Sequence, residues 1–163
     1  MKRVGAIDCG TNSIRLLISD VDDASSTQHD HVREVQIVRL GQGVDRTGRL
    51  DGEAVERTLA VCRDYAATCR EHEVEMIRFC ATSAARDADN AAEFRDAVRS
   101  ILGVEVEVLS GDEEAALAYD GVVRVAGRLA TPILVADVGG GSTELILGDA
   151  AEVRAARSLD IGS

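Results

Sequence analysis

Ile7-Asp8-Cys9-Gly10-Thr11-Asn12-Ser13-Ile14-Arg15-Leu16-Leu17-Ile18-Ser19-Asp20 is a pattern that this chain contains twice. It returns as Ala136-Asp137-Val138-Gly139-Gly140-Gly141-Ser142-Thr143-Glu144-Leu145-Ile146-Leu147-Gly148-Asp149. The register is constant: Asp8 falls on Asp137, Gly10 on Gly139, Ser13 on Ser142, Leu16 on Leu145 and Asp20 on Asp149. Each copy reads as a buried strand, an acid at its end, a tight Gly/Ser/Thr turn and a returning strand. Such a turn gathers backbone N–H groups into a concavity suited to phosphate. The acid at the strand end suits a divalent cation or its bound water. A single copy would equally well be an ordinary hairpin with a glycine-rich turn; the matched pair argues for a shared task.

Working outward, residues 3–8 and 14–20 are expected as strands, and residues 32–40 as a third, making an antiparallel meander. Asp22–Asp30 reads as polar and turn-rich, and Gly41–Gly52 as a loop. Val55, Leu59, Cys62, Ala66 and Cys69 fall on one stripe, predicting a helix over 53–72. A strand over 76–81, a loop over 82–87 and a helix over 90–102 closed by Gly103 follow. A strand over 104–109 and a helix over 111–125 complete the order βββαβαβα. Antiparallel strands followed by strand–helix alternation favour a mixed α/β sheet with helices on its faces, the order of a ribonuclease-H-like or actin-like lobe. After a connection over 127–132, the second hairpin opens (133–137, 143–148 and a strand over 153–157). The expected division is a first lobe over 1–127 and the beginning of a second over 131–163.

Composition narrows the class. The chain has 163 residues, 45% hydrophobic and 29% charged, which fits a globular protein. At 2% aromatic, its core must rest on Val, Leu, Ile and Ala. No apolar run approaches the length of a membrane helix, and no signal-peptide pattern opens the chain, so a cytoplasmic protein with no membrane partner is expected. A net charge of −11 argues against duplex nucleic acid. Cys9, Cys62, Cys69 and Cys80 contain no Cys-x-x-Cys pair and read as core thiols. His29, His31 and His72 have no evident catalytic or metal partner.

Phosphate binding in so acidic a chain needs local positive charge: backbone amides, a few arginines and a cation. Arg15 and its repeat partner Glu144 follow their turns at equal distance. Arg15 suits direct phosphate contact, whereas Glu144, with Asp137, suits Mg²⁺; the alternative is two solvated strand charges. Ser110 and Glu113 form a capping box, and Asp112 complements the helix dipole. That leaves Glu114 without a structural duty, as a candidate general base or as one more acid at a helix start. Arg86, in a loop after a strand, is positioned to reach a phosphate or to pair with Asp87 or Asp89. Arg39 and Arg46, flanking Gly41-Gln42-Gly43, are weaker candidates of the same kind.

Six stretches together resemble the exopolyphosphatase / guanosine pentaphosphate phosphohydrolase (Ppx/GppA) family of the actin-like superfamily, most of all its short actinobacterial members. They are Ile7–Leu16, Arg39–Val44, Ala81–Ala88, Ser110–Ala115, Asp137–Leu145 and Ser158–Gly162. The resemblance implies that Glu114 activates the attacking water and that Asp137 and Glu144, with Asp8 as a further candidate, hold Mg²⁺ or another divalent cation. It implies phosphate binding by Gly10, Thr11, Asn12 and Ser13 and by Gly139, Gly140, Gly141, Ser142 and Thr143, aided by Arg15 and Arg86. The implied reaction is hydrolysis of a terminal phosphoanhydride of inorganic polyphosphate or of guanosine pentaphosphate. An actin-like ATPase or sugar kinase, or a non-catalytic polyphosphate-binding module, are the alternatives. Family members have two lobes, so 163 residues alone are expected to be inactive. The apolar second hairpin is expected to be covered, by homo-oligomerisation, by swapping or by the first lobe.

Overall fold

A computed structural model describes residues 1–22, 27–126, 130–149 and 152–162. The chain divides into two compact units, Met1–Val108 and Leu109–Ser163.

In the first unit β1 (Lys2–Cys9), β2 (Ser13–Asp22) and β3 (Thr27–Ile37) form the expected meander, followed by α1 (Val44–Thr47), α2 (Gly52–Glu71), β4 (Met76–Ala81), α3 (Ser83–Asp87), α4 (Ala91–Leu102) and β5 (Val106–Val108). The sheet order is β3-β2-β1-β4-β5. The β1–β2 and β2–β3 pairs are antiparallel, while β1–β4 and β4–β5 are parallel. This is the mixed sheet the element order implied. Asp51 starts α2 by accepting the Glu53 and Ala54 amides at 3.1 Å each, and Gly103 ends α4 with φ +73°.

Period-two alternation in β1 and β2 places Ile7, Cys9, Ile14, Leu16 and Ile18 in one core with Leu59, Cys62, Tyr65, Phe94 and Val98 from α2 and α4. Both helices therefore cover a single face of the sheet. Burying a side chain such as Phe79 or Phe94 contributes about 1.5–3 kcal/mol. Cys9, Cys62 and Cys69 are free and buried as expected. Burial pushes the Cys62 thiol up to about 12 and raises Cys9 well above its usual value.

Three local expectations need correction. The third strand begins at Thr27, inside the stretch read as turn-rich, and ends at Ile37. Val38 and Leu40 are buried but lie beyond it, and their burial gave 32–40 its strand-like pattern. Two short helices, α1 and α3, occupy segments read as loops.

The second unit consists of α5 (Gly111–Ala126), β6 (Ile133–Val138), β7 (Thr143–Gly148) and β8 (Val153–Leu159), the strands in antiparallel order β6-β7-β8. Ala115 and Tyr119 of α5 pack with Ile133 and Ile146. The Tyr119 hydroxyl donates to the Asp149 carbonyl at 2.7 Å, fastening the helix to the end of β7. Residues 127–129 of the expected connection lie outside the described residues. Among the described residues no helix is long and apolar enough to cross a membrane.

Candidate phosphate-binding site

The two turns are the same turn. Gly10 N donates to Ser13 O at 2.9 Å, and Gly139 N donates to Ser142 O at 2.8 Å. Strand pairing closes behind them at Cys9–Ile14 and Val138–Thr143. A Cβ on Gly139 would sit 3.1 Å from Ser142 O, so the tight closure itself favours glycine.

Around the first turn, segments distant in sequence interlock. Val38 N and Arg39 N both donate to Asn12 O at 2.9 Å, and Gly41 N donates to Thr11 O at 2.9 Å. The Thr11 and Ser83 hydroxyls are hydrogen-bonded at 2.9 Å, and Thr82 N reaches Cys9 O at 3.2 Å. A Cβ on Gly41 would collide with Thr11 Cγ2 and lie 3.2 Å from Ala84 Cβ. Three of the quoted stretches thus meet on Thr11. Gly41 and Ser83 were not singled out individually; their roles depend on contacts that only the fold creates. Arg39 adopts φ +50°, a left-handed backbone conformation unfavourable for a residue with a side chain.

Asp8 and Arg15 are opposite one another in the β1–β2 register. Arg15 Nη1 donates to Asp8 Oδ2 at 3.2 Å, with side chains 61% and 50% exposed. The acid expected near a cation and the arginine expected on phosphate therefore hold each other. An ion pair this exposed is worth only about 0–1 kcal/mol, so an incoming phosphate can compete for Arg15. Arg86 is exposed in the last turn of α3.

In the second unit the capping box is formed. Ser110 N and Oγ donate to Glu113 Oε2 at 2.9 and 2.8 Å, and Glu113 N donates back to Ser110 Oγ at 3.3 Å. Glu114 is half-buried, with its Oε2 shielded from solvent. It shares the helix face of Gly111, Ala115, Ala118 and Tyr119, the last three of which pack in this unit's core.

Asp137 and Glu144 are cross-strand partners, so their side chains leave the same face of the sheet. Asp137 is exposed, whereas Glu144 is 1% exposed. Ser158 Oγ of β8 donates to Glu144 Oε1 at 2.8 Å, and a Cβ on Gly111 would lie 3.2 Å from Ser158 Cβ. Ser158 therefore links the start of α5 to the buried carboxylate, a role its sequence position did not reveal. Ser142 is buried, and Thr143 Oγ1 donates to Ile161 O at 2.6 Å. A Cβ on Gly162 would overlap the Gly140 carbonyl, so the segment after β8 lies directly against the turn.

Among the described residues, no three His, Cys, Asp or Glu side chains gather in a metal-binding arrangement. The pair Asp137–Glu144 nevertheless fits Mg²⁺ by donor chemistry. That ion is commonly bound through one or two carboxylates, with water and substrate phosphate completing its shell.

Known proteins match this chain along nearly its whole length. A family model described as the Ppx/GppA phosphatase family matches residues 17–163. Exopolyphosphatase 2 of Mycobacterium tuberculosis (strain CDC 1551 / Oshkosh) is 49% identical over 169 residues, covering 99% of this chain and 53% of that protein. The crystal structure of an exopolyphosphatase-like protein superposes with a TM-score of 0.93 at 45% identity, covering 99% of this chain and 51% of its own. An exopolyphosphatase from Cytophaga hutchinsonii ATCC 33406 gives 0.88 at 34% identity, with 99% and 51% covered. MreB5 of Spiroplasma citri, at 14% identity and a TM-score of 0.51 over 99% of this chain and 53% of its own, shares the actin-like fold alone. The chain spans about half the length of the curated relatives it matches.

Proposed function

This chain belongs to the Ppx/GppA phosphatase family, and from that premise we propose that it carries phosphate-binding and water-activating groups of an exopolyphosphatase, which releases terminal phosphate from inorganic polyphosphate. The observation that carries the reading is the duplicated turn, closed by the same hydrogen bond at Gly10 and at Gly139. Two anion-binding turns in a chain of net charge −11 suit a substrate that is itself a polyanion.

Glu114 is the general base in this reading and takes a proton from the attacking water. The turn amides orient the terminal phosphoryl group and stabilise the charge on its oxygens, with Arg15 released from Asp8 and Arg86 contributing. Asp137 and Glu144 would hold Mg²⁺, with Asp8 a further candidate; when bound, the ion supplies positive charge to the phosphoryl oxygens. Ser158 keeps the Glu144 carboxylate fixed by the 2.8 Å hydrogen bond. The reading also carries a cytoplasmic location, where the free thiols stay reduced, and inactivity of the 163 residues taken alone.

The test is turnover by the gene product that contains this chain. Glu114→Gln lowers phosphate release by roughly 10²–10⁴-fold while polyphosphate binding persists; undiminished turnover removes Glu114 as the base. Guanosine pentaphosphate is the second reading, because it too ends in a phosphoanhydride. Comparing release from polyphosphate, guanosine pentaphosphate and ATP separates the two from a nucleotide-dependent ATPase or kinase. Binding without any turnover supports a non-catalytic module.

A further inference from the structure

Arg39, Arg46 and Arg49 are three exposed arginines close together in the stretch between β3 and α2. Arg3, Arg15, Arg78, Arg99 and Arg124 are each in an ion pair. Arg39, Arg46 and Arg49 have no carboxylate partner among the described residues, although the chain has 29 acids to 18 Lys and Arg. All three lie between β3 and α2, Arg46 on α1, and Asp51 beside them accepts two amides at the start of α2.

That stretch begins at the first phosphate turn, where Gly41 N is bonded to Thr11 O. Directly beyond Gly41 is an open pocket of about 330 Å³, lined by Gln42, Gly43, Arg46, Thr47, Arg49 and Asp51 among others, with the Asp51 carboxylate engaged by the amides of α2. Its frame is rigidly tied. Gly48 N donates to Val44 O at 2.7 Å, and Thr47 Oγ1 donates to Gly43 O at 2.9 Å. Leu50 exchanges two hydrogen bonds with the Asn90 side chain at 2.8 and 3.1 Å. Asp89 N donates to Gly48 O at 2.9 Å. A segment held this firmly keeps its cations spread without a ligand, and binding then costs little ordering entropy.

We propose that the Arg46–Arg49 pocket is a second anion subsite, which takes inner phosphates of a linear polyphosphate whose end is held at the Thr11 turn. The inference rests on the polyphosphate reading above and adds to it a preference for chain length. A linear polyanion carries charge on every unit and can span from the turn along Gly41-Gln42-Gly43 to the pocket. A substrate with only a short phosphate run leaves the subsite empty.

The test measures binding of long-chain polyphosphate and of tripolyphosphate to the gene product that contains this chain, wild type and the double variant R46Q/R49Q. Both side chains are exposed, and R95Q, which removes an exposed cation on α4, is the charge control. The double variant is expected to lose about tenfold more affinity for long chains than for tripolyphosphate, the scale of one charge-assisted hydrogen bond. Its long-chain binding should also depend less steeply on salt, R46K/R49K should retain most of the affinity, and R95Q should match wild type. Equal losses for both ligands, or no loss for either, overturn the subsite while leaving the polyphosphate reading in place. Failure of wild type to bind either ligand overturns both.

Discussion

Glu144 and Asp20 show how hydrogen-bond partners change what a carboxylate is. Glu144, 1% exposed, is held by the Ser158 hydroxyl, whereas Asp137 opposite it stays open to solvent. The same cross-strand pair therefore presents one held and one solvent-open carboxylate on one face. Asp20 on β2 is bound from two sides. Arg3 Nε and Nη2 donate to its two oxygens at 2.8 and 3.1 Å, and His31 Nε2 lies 2.7 Å from Oδ2. The Arg3 hydrogen bond, then that of His31, hold its carboxyl well below the usual carboxylate range. Because the folded value is depressed, the stabilisation is fully present above the unfolded value of about 3.9. It is lost as pH falls from about 5 through the folded value. Thermal melts from neutral to acid pH should show Asp20→Asn less stable near neutrality and with a shallower acid decline. An unchanged acid decline would remove Asp20 from that role.

Among the elements, the loop from β3 to α1 holds the first turn in place through Gly41. Replacing Gly41 by Ala brings a methyl group against Thr11, the centre of three converging segments. Overpacking of this kind costs about 1–3 kcal/mol. Gly121 on α5 has open space around it, so Gly121→Ala should stabilise by about 0.5–1 kcal/mol. Urea unfolding of the two variants checks the contrast, and equal effects would show that the contact at Thr11 carries no strain. The long elements were legible because 10–20 residues display a full period, as β2 and α2 do. The four residues of α1 and five of α3 are too few to show one. β3 was misplaced because His29, Asp30, His31, Arg33 and Glu34 give an edge strand no apolar alternation.

Across the whole molecule, the duplication is unequal in what covers it. Cys9, Leu16 and Ile18 in the first copy are at most 1% exposed beneath helices. Their counterparts Val138, Leu145 and Leu147 are 64%, 39% and 38% exposed, and Leu134 on the same face is 67% exposed. A contiguous apolar face of this kind is an association surface. The chain taken alone is expected to self-associate, its sedimentation coefficient rising with concentration. A constant monomeric value across a dilution series would contradict this.

The sequence by itself determined the duplicated hairpin, the extents of α2 and α4, the Ser110–Glu113 capping box and the candidacy of Glu114. All of these follow from periodicity and turn chemistry within a few residues. Tertiary structure alone decided that Arg15 lies against Asp8 and that Ser158 secures Glu144. It also decided that Gly41 and Ser83 close on Thr11 and that α5 packs with the second sheet. These are contacts between residues far apart in sequence or across strands, where register and close approach fix the partner, and neither is set until the chain has folded.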